Sequence, residues 1–287
     1  MREPAAARAT TTAGETERRW SLPPGHVLNL GCRENPDQRF FVYVPDSATD
    51  ESPMFVPVHG ISRNGHEHAS LFARYCDRFG VVLVAPYFEM GKSEDYQRLG
   101  RSGRGPRADA ALDAILAEAA WLTSVAADRI HLFGFSGGAQ FAHRYVMAHP
   151  DRVARAVIAA AGWYTFPDPH RGFPYGIRTA WDLPDVRFDP EKFLRVPITV
   201  MVGDQDITNE DLRSTERVDL QQGRTRVERA RNWVKAMRTA ARRHHLDPLV
   251  SLELVPGGNH VFADLMNGAQ LGDRVFASLF QTRGPRA

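Results

Sequence analysis

The segment Gly134-Phe135-Ser136-Gly137-Gly138 follows an apolar run and precedes a pattern of helical spacing. Gly-x-Ser-x-Gly between a strand and a helix is typical of a sharp turn that exposes a serine at its tip. Glycines are needed near the serine because a Cβ would crowd so tight a turn. The serine would also lie at a helix N-terminus, where the helix dipole favours developing negative charge.

An acidic residue and a histidine follow the serine at the ends of two further predicted strands. A β-branched run at 198–202 is followed by Asp206, and an alternating run at 250–255 is followed by His260. Open α/β sheets carry their chemistry just past the carboxyl ends of their strands. The three residues are therefore predicted to meet at one edge of a sheet.

Strands and helices alternate along the chain, which predicts a mostly parallel sheet with helices on both faces. The serine turn, Asp206, His260 and the segment His59-Gly60 together resemble the α/β-hydrolase superfamily from about residue 25 to the C-terminus. Within it, the chain looks nearest to the polyhydroxybutyrate-depolymerase and feruloyl-esterase-like group. The resemblance implies the α/β-hydrolase fold, with a short loop-rich cap at 163–195.

Serine is a weak nucleophile unless a base takes its proton and an acid orients that base. We therefore predict Ser136 as the nucleophile, His260 as general base and then general acid, and Asp206 as the orienting carboxylate. Asp204 is a competing acid two residues earlier, but the Gly-x-x-Asp spacing favours Asp206.

The oxyanion of a tetrahedral intermediate needs preorganised donors, which these sites take from backbone amides. Gly137, the residue after the nucleophile, is predicted to supply one amide. Ile61, in the loop after the third strand, is predicted to supply the other, with Ser62 as the next candidate. His59 is expected to hold this loop by hydrogen bonds.

Candidates for the substrate pocket are Ser62, in the loop after the third strand, and aromatic residues that follow strand ends: Tyr87, Phe88, Trp163 and Tyr164. Aromatic side chains at such positions line clefts for aromatic or aliphatic esters. Ordinary core packing is an equally open interpretation of each aromatic residue.

Two arginine-rich stretches have alternative interpretations. The loop at 98–107 either lies beside the cleft and favours an anionic substrate, or is a solvated surface loop; it lacks the Gly-Lys-Ser/Thr ending of a phosphate loop. A helix predicted at 224–245 carries seven arginines beside an apolar stripe, so its arginines are expected largely on the solvated face. No nucleic-acid partner is predicted.

The composition is that of an ordinary soluble globule, with 43% hydrophobic residues, 24% charged residues and a net charge of +2 over 287 residues. We expect a disordered tail at 1–22, without the apolar centre of a secretory signal, and one domain at 23–284. No apolar stretch has the length of a membrane span.

The two cysteines, Cys32 and Cys76, are expected to be free thiols in a cytoplasmic protein, with a disulfide between them as the alternative. His66 and His68 are two residues apart on a predicted helix, point to different sides and make a poor chelate. We predict no metal and no organic cofactor.

These observations predict a serine hydrolase that cleaves a small-molecule carboxylic ester through an acyl-enzyme. A thioesterase, a lactonase or a carbon–carbon bond hydrolase would use the same triad. A non-catalytic ligand-binding protein of the same fold is the alternative from a different class.

Overall fold

The computed structural model describes residues 22–209 and 212–280, so the predicted tail lies outside the described residues except for Leu22. The strands in this part of the chain are β1 (Leu28–Gly31), β2 (Arg39–Tyr43), β3 (Met54–Val58), β4 (Val82–Pro86), β5 (Ile130–Phe135), β6 (Val153–Ala159), β7 (Ile198–Gly203) and β8 (Val250–Val255). The helices are α1 (Gly65–Phe79), α2 (Ala108–Thr123), α3 (Gly137–Ala148), α4 (Pro190–Phe193), α5 (Glu216–Gln222), α6 (Arg226–Arg243), α7 (Phe262–Asn267) and α8 (Leu271–Phe280).

The strands form one sheet in the order β1-β2-β4-β3-β5-β6-β7-β8. β2 runs antiparallel to both of its neighbours, whereas all strands from β4 to β8 along the sheet are parallel. Parallel strands covered on both faces are apolar throughout, as the fully buried β3 and β4 are. The predicted α/β class with a mostly parallel sheet is confirmed.

Helices cover both faces of the sheet, and alternate residues of each strand feed two separate cores. Along β2, Phe40 and Val42 enter one core, while Phe41 and Tyr43 enter the other. The first core packs against α2, α3 and α6, and the second packs against α1, α7 and α8. The second core is rich in aromatic residues, including an edge-on contact of Phe55 and Phe72 with centroids 5.0 Å apart.

Pro57 lies inside the central strand β3 and limits its pairing. Proline has no backbone N–H to donate to a neighbouring strand. β3 pairs with β4 only at Met54 and Phe55, whereas its pairing with β5 continues from Phe55 to Val58. The proline is tolerated because the ladder with β4 has already ended.

The cap segment at 163–195 consists of loops and the short helix α4, and it carries buried apolar side chains such as Phe173 and Leu183. Cys32 and Cys76 are both buried and both free thiols. None of the helices in the described part of the chain has the length and apolar character needed to cross a bilayer.

Candidate active site

A continuous chain of hydrogen bonds joins a serine, a histidine and an aspartate at the carboxyl edge of the sheet. Ser136 Oγ lies 3.0 Å from His260 Nε2, and His260 Nδ1 lies 2.7 Å from Asp206 Oδ2. A carboxylate only accepts hydrogen bonds, so Nδ1 carries the proton and Nε2 is left to accept from the serine hydroxyl. The structure thus brings together three residues that are up to 124 positions apart in the chain.

The serine lies on the turn between β5 and α3 in a conformation that non-glycine residues rarely adopt. Its backbone has φ 53° and ψ −110°, and such strain persists only where the surroundings enforce it. A Cβ on Gly138 would lie 2.1 Å from the Val58 carbonyl oxygen, and one on Gly134 would lie 2.3 Å from that of Gly138. The two glycines therefore let the turn close against β3.

The loops that carry the acid and the histidine are held against each other. A Cβ on Gly203 would lie 2.1 Å from the Gly258 carbonyl oxygen, so the loops after β7 and β8 meet at two glycines. Asp204 Oδ1 accepts a hydrogen bond of 2.9 Å from the amide of Gly257. Asp204 thus ties the two loops together, whereas Asp206 is the carboxylate that contacts the histidine.

A buried arginine completes the surroundings of Asp206. Arg226 Nη1, at the first turn of α6, donates to Asp206 Oδ1 at 3.1 Å, and both side chains are buried. Arg229, one turn later, is also buried and donates to the Gly162 carbonyl and to Asp219. The arginines of this helix were expected largely on its solvated face. Arg226 and Arg229 are exceptions, because both lie in the first turns of α6 with their side chains buried in the domain.

The loop after β3 lies beside the serine turn. A Cβ on Gly137 would lie 2.8 Å from Ile61 Cγ2 and 2.6 Å from Tyr96 Oη, and one on Gly60 would lie 3.6 Å from Ser136 Cβ. The residues predicted to supply the two oxyanion amides, Gly137 and Ile61, are therefore neighbours in space.

His59 holds this loop from inside the protein. Its Nδ1–H donates to the Gly60 carbonyl at 2.8 Å, and its Nε2 accepts from the amide of Phe88 at 3.0 Å. Tyr96 Oη also donates to the His59 carbonyl at 3.1 Å. Burial lowers the pKa of His59 from 6.5 to about 4, so the ring stays neutral and keeps both bonds at neutral pH.

The serine and histidine open into a cavity of about 570 Å³. Of the predicted pocket residues, Ser62 and Trp163 line the cavity. Tyr164 is fully buried and stacks on Trp233 instead, with ring centroids 4.9 Å apart. Tyr87 packs against Phe41 and does not contribute to the described lining.

Several further polar residues line the cavity, although no sequence pattern indicated them as site residues: Asn64, Glu67, Gln97, Gln140, Arg213 and Arg226. Arg98, from the basic loop, lines it as well. Among the residues that the structure describes, no group of three histidine, cysteine, aspartate or glutamate side chains is arranged to hold a metal ion.

No family model matches the chain, and a comparison with curated proteins found no match either. Solved structures do match. A poly(3-hydroxybutyrate) depolymerase from Bordetella parapertussis is 27% identical with a TM-score of 0.73, covering 92% of this chain and 93% of that chain. Poly(aspartic acid) hydrolase-1 from Sphingomonas sp. KT-1 is 23% identical with a TM-score of 0.75, covering 89% and 100%.

An S-formylglutathione hydrolase from Agrobacterium tumefaciens is more distant, at 15% identity and a TM-score of 0.56, covering 84% of this chain and 89% of that chain. These structures share the α/β-hydrolase fold. The predicted resemblance to that superfamily, and to its polyhydroxybutyrate-depolymerase-like members, is confirmed.

Proposed function

We propose that the chain is a serine hydrolase that cleaves a carboxylic ester through an acyl-enzyme. The observation that carries this proposal is the hydrogen-bonded chain from Ser136 through His260 to Asp206, which opens into a cavity of about 570 Å³. The similarity to a poly(3-hydroxybutyrate) depolymerase, an enzyme named for an ester polymer, supports the same reaction class.

In the first half-reaction, His260 Nε2 takes the hydroxyl proton as Ser136 Oγ attacks the ester carbonyl. Asp206 accepts from His260 Nδ1, which keeps the imidazole in the required tautomer and stabilises the imidazolium as it forms. The ring of Phe135 stacks on His260 with centroids 5.2 Å apart, which further limits how the imidazole can turn.

The developing oxyanion would be bound by the amides of Gly137 and Ile61. Gly137 is the first residue of α3, so its N–H has no acceptor within the helix. Donors of this kind stabilise the transition state because they are already oriented before charge develops. His260 then protonates the leaving alkoxide and, in the second half-reaction, activates the water that releases the acid.

The proposal is tested with p-nitrophenyl esters from acetate to decanoate, assayed on the wild-type protein and on Ser136→Ala. Ser70→Ala, on the exposed face of α1, is the matched control. We expect Ser136→Ala to lower kcat by several orders of magnitude and Ser70→Ala to leave it unchanged. The chain-length optimum measures the size of the acyl pocket.

Equal turnover by the Ser136→Ala protein would contradict the proposed nucleophile. Folded wild-type protein with no turnover on any ester would contradict the esterase assignment. A fluorophosphonate probe separates these outcomes further, because covalent labelling reports an activated Ser136 even where the ester chosen is a poor substrate.

A further inference from the structure

One wall of the catalytic cavity is built from arginines. Arg98 and Arg213 line the cavity. Arg101 shares the carboxylate of Asp95 with Arg98, and Arg144 contacts three residues of the lining from behind. The loop at 98–107, which the sequence left between a surface loop and a substrate contact, therefore reaches the catalytic cavity through Arg98.

Arg144 is the most unusual member of this wall because it is fully buried without a carboxylate partner in the described structure. It donates to Thr165 Oγ1 at 2.9 Å, to the Gln97 carbonyl at 2.6 Å and to the Gln140 carbonyl at 3.1 Å. Its Nη2 is buried and has no hydrogen-bond partner among the described residues. Burying a guanidinium without a counter-charge is costly, so the burial of Arg144 lowers the stability of the folded protein.

Trp163 connects the buried arginine to the exposed one. The guanidinium carbon of Arg144 lies 4.4 Å from the centroid of the Trp163 ring, and that of Arg213 lies 5.3 Å from it. An aromatic ring attracts cations but carries no net charge. The indole therefore accommodates both guanidinium groups and leaves their charge uncompensated.

Positive charge exceeds negative charge at this wall. Among the residues that the structure describes, the ion pairs of its four arginines involve two carboxylates: Asp95 pairs with Arg98 and Arg101, and Asp182 pairs with Arg101. Burial, and then the charges of the neighbouring arginines, lower the pKa of Arg144 well below its ordinary value. The one carboxylate in the described cavity lining, Glu67, accepts a hydrogen bond from Asn64.

We propose that this wall is a subsite for a substrate carboxylate, so that the preferred ester carries a negative charge on its acyl or its alcohol part. Arg98 and Arg213 would contact the carboxylate, since a guanidinium matches it with two parallel hydrogen bonds. Trp163 and the buried Arg144 would hold the wall in place and add to its potential. The inference rests on the proposed ester hydrolysis by Ser136.

The test compares charged and neutral esters of matched shape. For the acyl part, the pair is the mono-4-nitrophenyl ester of glutarate and its methyl ester; for the alcohol part, it is 4-acetoxybenzoate and its methyl ester. In at least one pair we expect kcat/KM to be about tenfold or more higher for the charged ester, the factor that one charge-assisted contact supplies. The preference should shrink as salt is raised.

Arg98→Gln and Arg213→Gln should each lower the ratio of charged to neutral kcat/KM by about tenfold, whereas Arg213→Lys should keep part of it. Arg217→Gln is the matched control, because Arg217 is exposed, lies 4.2 Å from the Tyr175 ring and does not line the cavity. It removes the same charge and should leave the ratio unchanged.

A wild-type ratio of one or less in both pairs, with Ser136-dependent turnover of the neutral esters, would overturn the carboxylate subsite and leave the esterase proposal standing. Turnover of no ester would count against the esterase instead. The subsite is then judged by calorimetric binding of glutarate to Ser136→Ala: binding that Arg213→Gln abolishes supports it, and absence of binding overturns it.

Discussion

Arg226 and Asp206 form a buried ion pair directly behind the candidate base, with Nη1 and Oδ1 3.1 Å apart. The other oxygen of the same carboxylate accepts from His260 at 2.7 Å. The arginine therefore holds the carboxylate from one side while the imidazole uses the other. We infer that Arg226 positions the candidate acid, Asp206, and does not itself touch the reacting atoms.

Arg226→Met should lower both stability and turnover. Removing one partner of a buried pair leaves the other charge uncompensated, at a cost of about 3–5 kcal/mol. We expect kcat to fall with a smaller change in KM, and Arg226→Lys to recover part of the loss. Arg229→Met is the control, since it removes a buried arginine of the same helix that does not contact Asp206. Equal losses of kcat in the two methionine variants, under conditions where both are folded, would assign Arg226 a merely structural role.

Asp206→Asn and Asp204→Asn should separate the two candidate acids. An amide at 206 cannot accept as a carboxylate does and favours the wrong imidazole tautomer, so kcat should fall by about 10⁴-fold. Asp204 instead accepts a hydrogen bond from the amide of Gly257. Because asparagine keeps an oxygen that can accept this bond, Asp204→Asn should leave kcat nearly unchanged and lower the midpoint of urea unfolding only slightly. Steady-state kinetics on p-nitrophenyl butyrate checks both, and a larger loss of kcat in Asp204→Asn would reverse the assignment.

Two adjacent glycines of the serine turn should respond differently to alanine. A Cβ at position 138 would meet the backbone carbonyls of Val58 and His59 at 2.1 and 2.6 Å, and backbone cannot move aside. The three atoms nearest to a Cβ at position 137 would belong to the side chains of Tyr96, Ile61 and Gln97. Gly138→Ala should therefore yield little folded protein, whereas Gly137→Ala should fold with lowered kcat. Circular dichroism and kinetics distinguish them, and a fully active Gly138→Ala protein would refute the steric argument.

The sequence predicted the site residues that follow strand ends well. It predicted poorly the residues whose place in the site depends on where their side chains point. Ser136, Asp206 and His260 follow parallel strands, whose carboxyl ends meet at one edge. Trp163 and Tyr164 are consecutive, yet only Trp163 lines the cavity, and composition does not show which way each of them points. Arg226 was missed because helical periodicity predicts which face of a helix is apolar, but not which residues its first turn contacts. The position of Arg98 in the cavity lining also depends on the conformation of its loop, which periodicity does not predict.

The stability of the folded protein should depend on pH through two buried, neutral histidines, His59 and His143. In each ring one nitrogen donates a hydrogen bond and the other accepts one. His143 Nδ1–H donates to the Ala139 carbonyl and its Nε2 accepts from the amide of Thr165, each at 2.9 Å. Burial lowers the pKa of His59 to about 4 and that of His143 well below its usual value. A proton on Nε2 would face an N–H donor and break that bond.

The unfolded chain takes up a proton on His59 near pH 6.5, whereas the folded protein does so only near pH 4. The contribution to stability is therefore complete above pH 6.5 and is lost as the pH falls towards 4, by about 3 kcal/mol for His59 alone. Urea unfolding at pH 7.5, 6 and 4.5 should show a falling midpoint, and His59→Gln, which does not titrate, should flatten this dependence. His66→Gln, at an exposed position of α1, should leave it as it is. An identical pH dependence of the unfolding midpoint in wild-type and His59→Gln proteins would show that protonation of His59 does not cause the loss of stability at low pH.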